Sequence, residues 1–285
     1  MKHILFTIAA ILTCMVSNTA FADGVFCRYE YNGVHYGKVE GGWVHQLTAA
    51  PWANGTPTGR VVKVKDAKFL HPSEPQKIFG ISGSYREAWI GKEPFKTVRW
   101  FLKPPSSAGS PDDEVKLPAS LDEVLVETEL VIVIGKRIKD GTLEDAEKAI
   151  FGYSVGNDMV GSVTSYHKIN GESDDQEETL LAPGLKIGDK FATYGPFIHH
   201  GVDWNNRLRT LKVYTPEGEV LTYEHNTSNF LFPPAKIVSD LSRVCVLEPG
   251  DVIFTGTTKA LPAHAGDRVV VSIEGIGSLE NIITQ

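Results

Sequence analysis

Cysteine is scarce in this chain of 285 residues, and the three that occur exclude more than they support. Cys14 lies behind Leu12-Thr13, a poor context for lipid attachment because the preceding residue is not small enough. Cys27 and Cys245 are spaced as in no small disulfide scaffold, and Cys245 sits within the apolar Val244-Cys245-Val246-Leu247. Two buried small hydrophobes are therefore expected in place of a bridge. No Cys/His spacing typical of a metal site occurs. Neither a Lys/Arg run nor a basic stripe is present, and the formal net charge is −7. That balance argues against nucleic acid or an anionic membrane surface as a partner. Internal repeats, heptads and low-complexity tracts are also absent.

What the chain does have begins with a leader-like start. Lys2 supplies a positive charge, Ile4 to Leu12 form an apolar run too short to span a bilayer, and Ala20-Phe21-Ala22 matches a small-x-small cleavage site. The expectation is a signal peptide over residues 1–22 and a secreted or periplasmic mature chain starting at Asp23, with no membrane attachment. Losing Lys2 would take the formal charge from −7 to −8. The remaining length suffices for one large core or two unequal domains.

The most informative stretch runs from Val124 to Gly135 and is rich in β-branched residues, as a buried strand should be. Strand periodicity places Glu127 and Glu129 on one face with Val131 and Val133, and Thr128, Leu130, Ile132 and Ile134 on the other. Two carboxylates on an apolar face repel each other unless they are protonated, paired with cations or bound to a metal. A third carboxylate, Asp158, closes the strand-like run Gly152-Tyr153-Ser154-Val155-Gly156-Asn157. Three convergent carboxylates suit a hard cation: Mg²⁺, Mn²⁺ or Ca²⁺. A solvated edge strand is the competing reading, but the apolar run on both faces downstream argues against it.

Elsewhere, short alternating strands from Phe26 to Leu47, with turns at Asn32-Gly33 and Gly41-Gly42, read as an antiparallel meander. Prolines 72 and 75 mark a boundary, giving a small β domain over residues 23–72 and a larger domain over 73–285. Asp140 to Ile150 reads as a helix opened by a Thr142/Asp145 capping pair, which would bring Asp158 back beside the glutamate strand as in a strand-helix-strand unit. Lys103, ending Trp100-Phe101-Leu102, is by default a surface lysine. The acidic stretch Gly171 to Glu178 reads as a solvated loop. Pro233-Pro234 opens a second helix with Ile237, Val238 and Leu241 on one side. The whole is a β-rich α+β fold.

Taken together, Phe101-Leu102-Lys103-Pro104, Glu127-Thr128-Glu129-Leu130, Gly152-Tyr153 through Asn157-Asp158, Lys186 ahead of Gly195-Pro196, Asn226-Thr227, Leu247 to Ile253 and Thr255-Gly256-Thr257 resemble the fumarylacetoacetate hydrolase family. The resemblance runs from about Phe26 to the C-terminus. It implies a mixed β-roll with a small N-terminal β domain, a homodimer, and a Mg²⁺ or related cation held by Glu127, Glu129 and Asp158. It also implies Lys186 as the active-site lysine, with Tyr85, Lys103 and Thr257 facing a small dicarbonyl or 2-oxo acid substrate. Carbon–carbon hydrolysis of acylpyruvate-like substrates is the implied activity, with isomerase, tautomerase or decarboxylase chemistry, or a non-catalytic binding role, as alternatives. Departures from the family pattern bear on this. Within Ser84-Tyr85-Arg86-Glu87-Ala88, alanine stands where the family carries its water-activating histidine, and the Arg and Gln that usually follow the aspartate are absent after Asp158. Glu87, His199 and His200 are the remaining candidate bases. For the leader, mass spectrometry of the protein from its native host should find an N-terminus at Asp23; an N-terminus at Met1 would contradict export.

Overall fold

A computed structural model describes residues 23–162 and 185–285; the leader and the acidic stretch lie outside the described residues. Three sheets make up the framework. The N-terminal meander pairs Gly24–Glu30, Val34–Glu40, Trp43–Leu47 and Pro57–Lys63 in antiparallel order. Asn32 and Gly33 both have positive φ, 52° and 120°, the conformation a tight hairpin turn needs and which asparagine and glycine tolerate best. This meander does not stand apart. Gly24–Glu30 pairs with Phe197–His200, which pairs in turn with Ile150–Asp158, so hydrogen bonding continues from the N-terminal strands into the central sheet.

The centre of that sheet is Thr128–Ile134, buried at every position. It lies between Ile150–Asp158 and Val252–Phe254, antiparallel to both. Leu130, Ile132 and Ile134 enter the main apolar cluster on one side, and Val131 and Val133 enter a second cluster on the other. The expected alternation therefore holds with both faces dry, which excludes a solvated edge strand.

The chain does not run as a strand straight through from Val124. Glu123–Val126 belongs to a second, three-stranded sheet with Val160–Gly161 and Leu261–His264. Glu127 is the residue at which the chain leaves that sheet for the central one. Its partner strand makes the same exchange at Met159, between Ile150–Asp158 and Val160–Gly161. Glu127 is thus released from strand geometry, and only Glu129 continues the face of Val131 and Val133.

The helix Leu143–Ala149 carries the full capping box, with Thr142 accepting from the Asp145 amide and Asp145 accepting from the Thr142 amide. It does join the glutamate strand to the aspartate strand, but these are antiparallel neighbours and not the parallel pair of a crossover unit. The second helix, Pro234–Val244, buries Ile237, Val238 and Leu241 as its pattern requires. Behind the site, Val220–Asn226, Leu208–Tyr214, Arg268–Ile273, Gly277–Thr284 and Glu114–Lys116 form a third sheet. Cys27 and Cys245 are unbonded; Cys27 is buried as expected, whereas Cys245 is half-buried. Among the described residues, no helix is long and apolar enough to cross a membrane.

Candidate metal centre

Because two neighbouring strands change sheets together, their carboxylates converge. Register pairs Thr128 with Asn157 and Glu129 with Gly156, and the Asp158 amide donates to the Glu127 carbonyl over 3.1 Å. The Asn157 side chain accepts from the Glu127 amide at 3.0 Å, holding the turn at which the chain switches sheets. One carboxylate oxygen from each of Glu127, Glu129 and Asp158 lies within 4.8 Å of the others. Glu129 and Asp158 are each 1% exposed. At that separation each pair of like charges repels by about 3 kcal/mol or more, even at an effective dielectric of about 20.

Two lysines oppose this repulsion. The Lys186 ammonium donates to Asp158 Oδ2 at 2.9 Å and lies 3.4 Å from Glu127 Oε2, above the Phe101 ring. Its backbone position is set one residue earlier, where the Leu185 carbonyl accepts from the Gly161 amide at 2.9 Å. Burial disfavours the charge on Lys186, but Asp158, Glu127 and Glu129 outweigh it and hold the ammonium above the ordinary lysine range. Lys103 is not on the surface: it is 2% exposed and ion-paired with Asp158. It also donates to the carbonyls of Met159 at 2.8 Å and Phe191 at 2.6 Å. Its ammonium is enclosed by Asp158 and these two carbonyls, so Lys103 positions Asp158 from inside the protein. Burial pushes it down to about 8 against the pull of Asp158.

The three carboxyls respond differently to one place. Asp158 is disfavoured by burial, yet Lys103 and Lys186 bring it below the ordinary range. Glu127 is raised by burial and only partly relieved by Lys186. Glu129 is raised well above its ordinary value by burial, with the charges of Asp158 and Glu127 adding to it. Among the described residues its one amide donor is Gly256, at 2.6 Å. Gly256 has φ +90°, and a side chain there would run into Ser84 and the Ile81 carbonyl, so this close approach needs glycine. Three oxygen donors, of which Glu129 and Asp158 are nearly dry and Glu127 and Glu129 incompletely neutralised, are the donor set of a hard divalent cation, and the residues present fit such an ion.

The remaining predicted residues are spread around this centre. Tyr85 is fully buried, with its ring 4.3 Å from Phe230 and 4.7 Å from His225. Glu87, in the 3₁₀ turn Arg86–Trp89, accepts from the Asn229 amide group. Thr257 directly follows Gly256 and is half-buried. His199 and His200 are held elsewhere. His200 bonds to the Phe151 carbonyl and stacks on the Phe151 ring, and His199 lines a separate surface groove with Phe197, Leu208 and Ile276. Neither meets the carboxylates. Sequence reasoning missed Arg209, which is 2% exposed and donates to the carbonyls of Thr128 at 3.1 Å and Gly256 at 3.0 Å. Its signal was parity: Arg209 shares the inward phase of Leu211 and Val213 in Leu208–Tyr214.

A profile of the fumarylacetoacetate hydrolase C-terminal domain matches residues 80–284, and one described as Rv2993c-like, N-terminal, matches residues 26–72. Protein Rv2993c of Mycobacterium tuberculosis is 31% identical over 268 residues, which cover 89% of this chain and 95% of that one. The crystal structure of 2-hydroxyhepta-2,4-diene-1,7-dioate isomerase from Mycobacterium marinum superposes with a TM-score of 0.76 at 29% identity, covering 92% of this chain and 98% of that one. Maleylpyruvate hydrolase from Sphingobium sp. SYK-6, solved with manganese(II) and pyruvate, shares the fold with a TM-score of 0.68 at 23% identity, over 92% and 99% of the two chains.

The raised Glu129 makes a prediction with a definite sign. Its folded value lies above its unfolded one, so the stability its proton contributes is present below 4.5 and is lost as pH rises through the folded value. Without metal, the melting temperature of wild type relative to Glu129→Gln, which has no such proton to lose, should fall as pH rises over the interval above 4.5. Adding Mn²⁺ should reverse the trend, because the cation takes the deprotonated site and releases the proton. A metal-free difference that stays flat or rises over that interval would contradict the assignment.

Proposed function

The chain belongs to the fumarylacetoacetate hydrolase family, and from that premise we propose that it is a divalent-metal-dependent enzyme that forms an enolate from a 2-oxo acid or 1,3-dicarbonyl substrate, as an isomerase, tautomerase or decarboxylase. One observation carries this reading: a buried triad of Glu127, Glu129 and Asp158 with a charged lysine fixed on its rim. The manganese and pyruvate with which the similarly folded maleylpyruvate hydrolase was solved support a divalent ion and a 2-oxo acid as ligands. The similar isomerase supports the reaction class.

When bound, a divalent cation supplies a Lewis acid that polarises the adjacent ketone and carboxylate oxygens of a 2-oxo acid. The acids around Lys186 favour its ammonium form. It acts as a fixed positive charge toward an oxygen on which negative charge grows, in a site where water does not screen it. Lys103 keeps Asp158 ionised and oriented. Decarboxylation to an enolate needs no base, because the electrons of the carbon–carboxylate bond become the enolate as carbon dioxide leaves; tautomerisation or isomerisation needs a group to take a carbon-bound proton, and Glu87 is the candidate this chain offers. Hydrolysis also needs a base, because a water must be deprotonated as it is delivered to the carbonyl carbon. At position 88 the chain offers a methyl group.

A second reading, carbon–carbon hydrolysis of an acylpyruvate, is favoured by Glu87. One of its oxygens is engaged by Asn229, while the other, Oε2, is buried with no partner among the described residues and could accept a proton from water. The family resemblance supports a homodimer, and the leader-like first 22 residues support action outside the cytoplasm.

Activity measurements with Mn²⁺ separate the two readings. Wild type should decarboxylate or tautomerise oxaloacetate measurably and hydrolyse an acylpyruvate slowly. Lys186→Ala should depress every activity about 10²–10³-fold, as loss of a donor to a developing oxyanion does. Ala88→His should raise hydrolysis alone, by up to about 10²-fold, the low end of what a positioned base contributes. Fast wild-type hydrolysis that Glu87→Gln leaves unchanged would sink this account.

A further inference from the structure

Arg209 is a buried cation with no salt-bridge partner among the described residues. On the strand Leu208–Tyr214 it spends Nη1 on the carbonyls of Thr128 and Gly256, and the face of its guanidinium lies over the Tyr85 ring, 4.3 Å from the centroid. Its Nε and Nη2 have no partner among the described residues. The deficit is shared by its neighbours. His225 stands directly across from Arg209 in the paired strands, and its Nε2 is likewise without a partner, as are Tyr85 Oη and Glu87 Oε2. Four side chains from three segments thus leave five polar atoms unmet in one place beside the metal centre. Buried polar groups are nearly always satisfied, and exceptions clustered at a site mark where a ligand completes them.

The chemistry of that ligand can be read from which atoms are free. Nε and Nη2 project from the same edge of the guanidinium and form the fork that receives both oxygens of one carboxylate. The other edge is taken by backbone and one face by Tyr85, so a planar oxyanion approaching in the guanidinium plane is what this site can still accept. Its place relative to the triad is also defined. The Gly256 peptide bonds Glu129 through its N–H, and the carbonyl of Gly256 bonds Arg209.

We propose that Arg209 is the specificity-determining residue of the site and binds, through Nε and Nη2, the second carboxylate of a dicarboxylic 2-oxo acid whose first carboxylate and ketone lie at the triad. His225 and Tyr85 complete the wall of this subsite. The inference rests on the 2-oxo acid reading above and adds the substrate's charge and the residue that reads it.

Calorimetry with Mn²⁺ present tests it on two non-identical probes of equal chain length, 2-oxopentanedioate and 2-oxopentanoate, which differ by one carboxylate. Wild type should bind the diacid more tightly by about 10–100-fold, the range of a charge-assisted bidentate contact. Arg209→Gln should abolish that preference, the two acids binding the folded variant with equal affinity. Arg209→Lys, which keeps the charge without the fork, should recover it only in part. Because Arg209 also ties two backbone segments together, the wild-type comparison stands by itself should a variant not fold: equal affinity for the two acids overturns the inference. Persistence of the preference in folded Arg209→Gln also overturns it. Failure of wild type to bind either acid would overturn the 2-oxo acid reading, and this inference with it, whereas Glu129→Gln losing both acids equally would leave the triad reading intact and the preference assigned to Arg209.

Discussion

Mutual repulsion among three carboxyls that share one nearly dry pocket is the constraint around which this molecule is arranged. With oxygens within 4.8 Å of each other, Glu127, Glu129 and Asp158 cannot all be ionised without help. The help is unequal. Asp158 receives two ammonium groups, Glu127 shares one of them, and Glu129 receives a single backbone amide. The charge deficit therefore collects on Glu129, the most buried of the glutamates, and that is where a cation would gain most. Burial of a pair or triad of charges is weak evidence for stability, since apolar replacements often do as well. An arrangement that stays incompletely neutralised is better understood as a binding device.

Its geometry follows from topology more than from any single side chain. Two antiparallel neighbours leave the central sheet for a smaller one at adjacent points, Glu127 on one and Met159 on the other. A strand crossing between sheets must give up its pleat for a residue. That freedom lets Glu127 turn toward Glu129 and Asp158 when strict alternation would have held it about 7 Å from Glu129. The same switch opens the space into which Lys186 reaches. Arg209 then ties the third sheet to this point through the carbonyls of Thr128 and Gly256.

Much of this was legible in the sequence where local chemistry decides local structure. Asn32-Gly33, the Thr142/Asp145 cap and Pro234 each satisfy a backbone requirement within a few residues, and each element formed where its pattern placed it. The acid pair stood out because carboxylates interrupt an apolar face. What escaped depended on long-range partners. The break at Glu127 requires a second sheet built from residues near 160 and 262. Lys103 looked like a surface lysine because its carbonyl acceptors, Met159 and Phe191, lie far along the chain. Arg209 was hidden because an arginine in a strand is by default exposed, although its parity with Leu211 and Val213 was there to be seen. Histidines 199 and 200 were considered for their chemistry, and the fold turns both away from the carboxylates.

The measurement that bears most directly on the metal centre is the stoichiometry and affinity of Mn²⁺ binding by calorimetry, for wild type, Asp158→Asn and Glu87→Gln. One ion per chain should bind wild type and Glu87→Gln with similar affinity, and Asp158→Asn should weaken it by about 100-fold or more, since the cation loses a charged ligand in a site where water cannot replace it. Equal binding by all three proteins, or none by wild type, would contradict a cation site built from these carboxylates.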